Sequence, residues 1–337
     1  MTTITIGNRT FETPVLVPSV STFETQLSPA SALRLQHTLQ EPISLVSAYD
    51  VRLDREKLVP LCKTFRENGI LLMDSGGYES LRISKYSRQE ERKRWDFPKY
   101  ADIASEDIYD FIFSFDYFIE NTESCSAFCD RLLQELQRHA EYIDITKLVP
   151  VLHVQTFDGV RALDSSEIVQ LFSTVSSQLD CRFIAVPERE LGAGIIARAD
   201  KAHRIATAIR EHSQDCSLHI LGCGNLLSFS LFAVAGATMC DGLEWCRTLA
   251  DDNFHLHHFQ HADLFVDPSR HIGDSMGDFI ATEHDLDYAT KVAARNLRSL
   301  QAFINSLHHC LRQRTVHDFV SHHFGETAGM AVRALET

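Results

Sequence analysis

Several features are missing from this 337-residue sequence, and each absence excludes a class of protein. No run of about 18 consecutive apolar residues occurs, so no membrane-spanning helix is expected. The opening residues, MTTITIG, lack a basic segment followed by an apolar one, so they do not read as a secretory leader. The nine cysteines (62, 125, 129, 181, 216, 223, 240, 246, 310) are odd in number and form no CxxC pair, which excludes a disulfide framework and a thiolate zinc site. A soluble, cytoplasmic protein with no membrane partner is the expectation. Positive charge is scarce too: 32 Lys and Arg face 46 Asp and Glu, a formal net charge of −14. The long-range field therefore repels polyanions, and a nucleic-acid partner needs a local basic surface. Protonating part of the 17 histidines near pH 6 makes the molecule less acidic.

What is present is ordinary for a globular chain: 44% hydrophobic and 23% charged residues rule out a disordered or fibrous protein. Short apolar runs recur at 15–20, 43–48, 70–74, 111–116, 148–155, 182–187, 218–222 and 238–243. Helical periodicity fills 30–40, 124–142, 165–179, 195–212 and 226–235, and again 288–314. Eight β/α units predict an α/β protein, a (β/α)8 TIM barrel over residues 1–250, with a basic insertion after strand 3. Residues 251–337 are expected to form a His-rich connection and a C-terminal helical appendage packed on the barrel. A doubly wound open sheet fits the same alternation with fewer strands.

One basic cluster stands out, in 78–105, with Arg82, Lys85, Arg88, Arg92, Lys93, Arg94 and Lys99. It reads either as a solvated face or as a phosphate-contacting insertion, with Tyr86, Trp95, Phe97 and Tyr100 available to stack.

Side chains at the C-terminal strand ends of a barrel ring a common pocket. Asp74 closes ILLMD, Asp116 closes FIFSFD, Asp241 sits in GATMCDGLEW, and Gln155 closes VPVLHVQ. A lone Asp there commonly caps the next helix. Three converging carboxylates raise one another's pKa values and can divide nucleophile and proton-transfer roles, as glycosyl chemistry requires. Gly76-Gly77 allows close backbone approach to a flat ligand beside Tyr78, or is a plain turn. The sequence Gly222-Cys223-Gly224-Asn225 is either a phosphate site at a helix N-terminus or a tight turn.

Taken in order, TPVLVPSV, LLMDSGGYES, FSFD, VPVLHVQ, LHILGCGN and GATMCDGLEWCR resemble motifs of the tRNA-guanine transglycosylase family, which includes queuine and archaeosine tRNA-ribosyltransferases. LLMDSGGYES is similar to that family's DSGGFQ loop, and GATMCDGLEWCR to its DMFDCVxPTR. The resemblance implies a pentosyltransferase that replaces guanine with a 7-deazaguanine derivative. Asp241 resembles the nucleophile that attacks C1′ of the target nucleotide. Asp74 resembles the residue that handles protons on the departing and arriving bases. Tyr78 occupies the position of a stacking aromatic, with Ser75, Gly76 and Gly77 beside it in the base-binding loop. Asp116 and Gln155 resemble the pair that reads the purine edge. Arg247 matches an Arg that contacts backbone phosphate, joined as nucleic-acid-binding candidates by Arg92, Lys93 and Arg94. The resemblance also implies a homodimer.

The departures from that pattern matter. The family's CxCxxC and following His, which hold a structural zinc, have no counterpart; Arg295-Asn296 stands where the His would fall, so no cofactor or metal is expected. The cluster His255, His257, His258 and His261 is a candidate for a different metal site, because His at i, i+3 and i+4 can share a helical face. The family's glycine pair after the sixth strand is replaced by Pro187-Glu188-Arg189-Glu190, which makes Glu188 a substrate-binding candidate. The polymer is then tRNA or, on the branch that inserts 7-deazaguanine in DNA, DNA, with a purine or 7-deazapurine base as second substrate. Two other readings remain: a catalytically silent paralogue acting as partner subunit or nucleic-acid binding module, and a barrel hydrolase acting on a small glycoside or nucleoside.

Overall fold

The computed structural model describes residues 3–7, 9–22, 25–77, 95–266 and 286–336. An antiparallel hairpin, β1 (Thr3–Ile6) and β2 (Arg9–Glu12), precedes eight strands: β3 (Val15–Val20), β4 (Ile43–Ser47), β5 (Ile70–Asp74), β6 (Phe111–Phe113), β7 (Leu148–Val149), β8 (Phe183–Pro187), β9 (Ser217–Leu221) and β10 (Met239–Gly242). These eight form one parallel sheet in the order β7-β6-β5-β4-β3-β10-β9-β8. Its two edges meet just past β7, where Leu152 N donates to Ala185 O (2.8 Å) and Ala185 N donates to Pro150 O (2.8 Å). The sheet is thereby nearly closed into a TIM-like barrel, with helices around it.

Two strands stop earlier than the apolar runs predict, and proline explains one of them. Pro150 has no N–H to continue a ladder, so β7 ends at Val149 and not at 155. The Ser114 hydroxyl then replaces a strand partner, accepting from Val151 N at 2.9 Å, and β6 ends at Phe113.

Because successive residues of a strand face opposite ways, each strand feeds two cores. Val15, Val17, Ile70, Leu72, Val149, Val151 and Met239 fill the barrel, where Ile4 and Ile6 of the hairpin join the first residues of several strands and plug the floor. Leu16, Leu71, Met73, Ile184 and Cys240 face outward against the helices. Those helices start where side chains can take up orphan N–H groups: Ser28, Ser124, Asp164 and Asn225 each accept from the first turn. The outer core continues into the helices Tyr288–Gln313, Val316–Phe324 and Glu326–Glu336 through Leu297, Phe303, Leu307, Val320 and Val332.

The segment carrying Tyr78, Tyr86, Arg82, Lys85, Arg88, Arg92, Lys93 and Arg94 lies outside the described residues. Three aromatics expected to be available for stacking beyond it are packed into the fold instead. Tyr100 is 1% exposed and donates to Phe113 O (2.7 Å), and Phe97 sits edge-on to Phe115 and His139. Trp95 Nε1 donates to Ser75 O at 3.1 Å, with its ring edge-on to Tyr49. The apolar face of the helix Phe97–Ala104 covers the barrel wall, which buries Tyr100 and half-buries Phe97. The histidine-rich stretch is likewise not the single α-helix that a shared face would need: a strand is followed by one 3-10 turn, Phe259–His261. It contains β12 (Leu256–His258), paired antiparallel with β11 (Thr248–Ala250), so His257 and His258 point to opposite faces. No helix of the described residues is long and apolar enough to cross a membrane.

Candidate active site

A cavity of about 280 Å³ opens at the C-terminal ends of the strands. Its wall includes Asp74, Ser75, Asp116, Glu188, Asp241 and Arg247, so these sequence-nominated residues come together. The two-residue period delivers most of them. Asp74 follows the inward pair Ile70 and Leu72, Asp241 follows inward Met239, and Ser19 follows Val15 and Val17.

Asp241 is 6% exposed and held by three donors. Ser19 Oγ donates to Oδ2 at 2.7 Å, while His219 Nε2 (2.9 Å) and Gly222 N (3.2 Å) donate to Oδ1. His219 comes from the inward face of β9 and is fully buried, and its Nδ1 has no partner. A proton there would be a buried donor without an acceptor, so the neutral tautomer with the proton on Nε2 is the one that fits. The nucleophile candidate thus sits among neutral donors.

The opposite corner is built on charge. Ser75 Oγ donates to Asp116 Oδ2 (2.8 Å), and His153 Nε2 meets Asp116 Oδ1 (2.8 Å). The other nitrogen, Nδ1, meets Glu190 Oε1 at 2.8 Å, and Glu190 Oε2 accepts from Val154 N at 3.0 Å. Burial pulls the His153 imidazole toward its neutral form, but the hydrogen bonds and charges of Asp116 and Glu190 outweigh it and raise its pKa to about 9. At neutral pH an imidazolium therefore lies between two carboxylates and donates to both. Phe118, also on the cavity wall, stacks on the His153 ring at 3.9 Å.

The double glycine is required by this corner. Gly76 has φ +75°, and a Cβ there would meet Tyr49 Cβ at 2.5 Å. A Cβ on Gly77 would fall 1.6 Å from Asp116 Oδ2, so the carboxylate rests against bare backbone. Asp74 Oδ2 accepts from Gly76 N at 3.3 Å, tying the proton-handling candidate to the same turn.

At the rim, Glu188 pairs with Arg198 (3.0 Å). Burial raises the Glu244 carboxyl above its usual range against the pull of Arg247, with Glu188 and Asp241 adding to the rise. Gln155 stands apart: it is half-buried beyond the cavity wall, in a bridge with Ala162. His153, two residues earlier on the same inward parity, occupies the wall instead. Tyr78, Arg92, Lys93 and Arg94 fall outside the described residues.

The zinc-ligand position does not fit a metal. Asn296 is 1% exposed and donates to Trp245 O (2.9 Å) and Thr248 O (2.6 Å) while accepting from Ala250 N (3.0 Å). It brackets the turn that follows Asp241, and Arg295 pairs with Asp252 at 2.7 Å. His257 is engaged with Asp251 (2.8 Å) and the Phe265 ring (4.0 Å), and His255 with His323 O (2.7 Å). Among the described residues no three side chains of His, Cys, Asp or Glu converge as an ion would require.

Four contributors were not nominated from sequence: Ser19, His153, His219 and Glu190. Strand parity carries a signal for the first three, since each continues an inward series; Glu190, on a turn after β8, carries none. No protein-family model matches the chain, and no curated protein matches it.

Proposed function

We propose that the protein is a base-exchange transglycosylase, replacing guanine with a 7-deazaguanine derivative in tRNA or DNA. The observation that supports this reading is the convergence of Asp74, Asp116 and Asp241 on one cavity at the strand ends, with the third held by Ser19 and His219. In the first half-reaction an Asp241 carboxylate oxygen attacks C1′ of the target nucleotide. The C1′–N9 bond breaks, the electron pair leaves with the base, and Asp74 supplies the proton that neutralises it. In the second, Asp74 takes a proton from the incoming base, whose nitrogen attacks C1′ and expels Asp241 as a carboxylate. Two displacements conserve the anomeric configuration. The three donors on Asp241 serve the second half, because groups that stabilise the carboxylate also make it a better leaving group.

Asp116 reads the base. Ser75 and His153 occupy one site on each of its oxygens, and a carboxylate oxygen can accept twice. The remaining capacity matches the adjacent N1–H and amino donors of a guanine edge. The nucleotide must leave its stack to reach the cavity, so a loop or a flipped base is the acceptor. Arg247, which lines the cavity, is the candidate to meet phosphate.

The test is exchange of labelled guanine into tRNA, duplex DNA and single-stranded DNA, with 7-deazaguanine bases as second donors. Wild type labels one polymer, and Asp241→Ala lowers the rate by about a thousandfold or more. Labelling that survives Asp241→Ala, or no labelling with any base and polymer, overturns the reading.

A further inference from the structure

Beside the cavity stands an aromatic side chain that is mostly in water and has no part in the chemistry above. Phe157 is 61% exposed and lies outside the cavity wall, on the loop between the bridge residues Gln155 and Ala162; its neighbour Val160 is 78% exposed. Leaving both in water gives up burial that would stabilise the fold. The loop holding them is nevertheless well tied. Thr156 N donates to Arg161 O (2.8 Å), Gly159 N to Thr156 O (2.9 Å), and Asp158 accepts from Thr156 Oγ1 (2.6 Å), Val160 N (3.1 Å) and Asn121 (3.3 Å). The ring is presented on a preformed turn.

It is also continuous with the site. Phe157 packs edge-on against Phe118 (5.4 Å), and Phe118 stacks on His153 (3.9 Å), which holds Asp116. One aromatic contact therefore separates the exposed ring from the cavity wall. A nucleotide drawn into the cavity leaves its neighbour in the strand at the rim with an unstacked face. With a net charge of −14, the protein gains little from the polymer's phosphates at long range, so contacts that are not electrostatic must supply more of the affinity.

We propose that Phe157 is a stacking platform for the unpaired base next to the nucleotide whose base enters the cavity. The inference rests on the transglycosylase reading for what enters that cavity. A base stacked on an uncharged ring releases no counterion, so the platform's share of the affinity persists as salt rises.

The experiment measures binding of a fluorescein-labelled single-stranded oligodeoxynucleotide of mixed sequence, and of an RNA stem-loop, by anisotropy at 50 and 200 mM salt. Phe157→Ala is expected to weaken binding of one probe about 5- to 150-fold, the range of a lost base stack, by the same factor at both salts. Phe157→Trp restores it, which separates stacking from a disturbed loop. Unchanged binding by Phe157→Ala, a defect that Phe157→Trp shares, or no binding of either probe by wild type overturns the platform. The two ideas fail separately. Base exchange by wild type with Phe157→Ala binding normally leaves the transglycosylase and removes the platform; Phe157-dependent binding without any exchange does the reverse.

Discussion

The two corners of the cavity hold an aspartate in opposite ways. Asp241 lies among Ser19, neutral His219 and a backbone N–H, while Asp116 lies against an imidazolium whose far side faces a second buried carboxylate. In the proposed exchange, neutral donors fix geometry without adding charge that the reaction would have to displace, which leaves the first carboxylate free to become an ester and return. In the same reading the second has only to accept hydrogen bonds in a constant direction, and an ion triad suits that role because it resists rearrangement. The cost is dependence on one proton.

The comparison breaks most severely at His153. His153→Leu leaves Glu190, 4% exposed, buried without its counter-charge, and the expected loss is about 3–5 kcal/mol of stability in denaturant unfolding. A His153→Leu, Glu190→Leu double variant recovers much of that loss. The same triad sets a pH window. His153 has a folded pKa of about 9 against an ordinary value of 6.5, so its contribution is complete below about 6.5 and disappears as pH rises through 9. Wild-type stability should decline across that interval, and a flat profile would contradict the ion triad.

A smaller effect is expected at the neutral corner. His219→Leu removes one hydrogen bond to a carboxylate, about 1.5–3 kcal/mol, read as a roughly tenfold or greater fall in the rate of base exchange. Smallest of all, Gln155→Ala should leave the KM for the base within about twofold, since the residue lies beyond the wall. A large rise in KM there would restore Gln155 as a base reader beside Asp116.

Much of the fold and of the cavity is legible in the sequence, for physical reasons. Parallel strands buried on both faces read as unbroken apolar runs, so β3 and β5 begin and end where those runs do. The strand-end aspartates are visible because a charge that closes an apolar run has few places to go but the pocket. His153 and His219 are less visible: each sits inside a run, and only counting alternate positions from Val149 or Ser217 shows that it faces inward. Gln155 reads as a pocket residue only while its run is one strand to the end, whereas Pro150 halts the ladder and the chain turns away. Glu190 meets His153 across 37 residues, a distance no local pattern spans.

The closure between the segment just past β7 and β8 is the barrel's narrowest joint, a single bridge at Val151 and Ala185. Directly above it, His153 from one side of the joint is clasped by Glu190 and Val154 N by the same carboxylate from the other. The imidazole that holds Asp116 therefore also keeps the ring shut. A proton lost from this imidazole would loosen a hinge pin as well as a ligand contact, and alkali should open the barrel along that seam before any other.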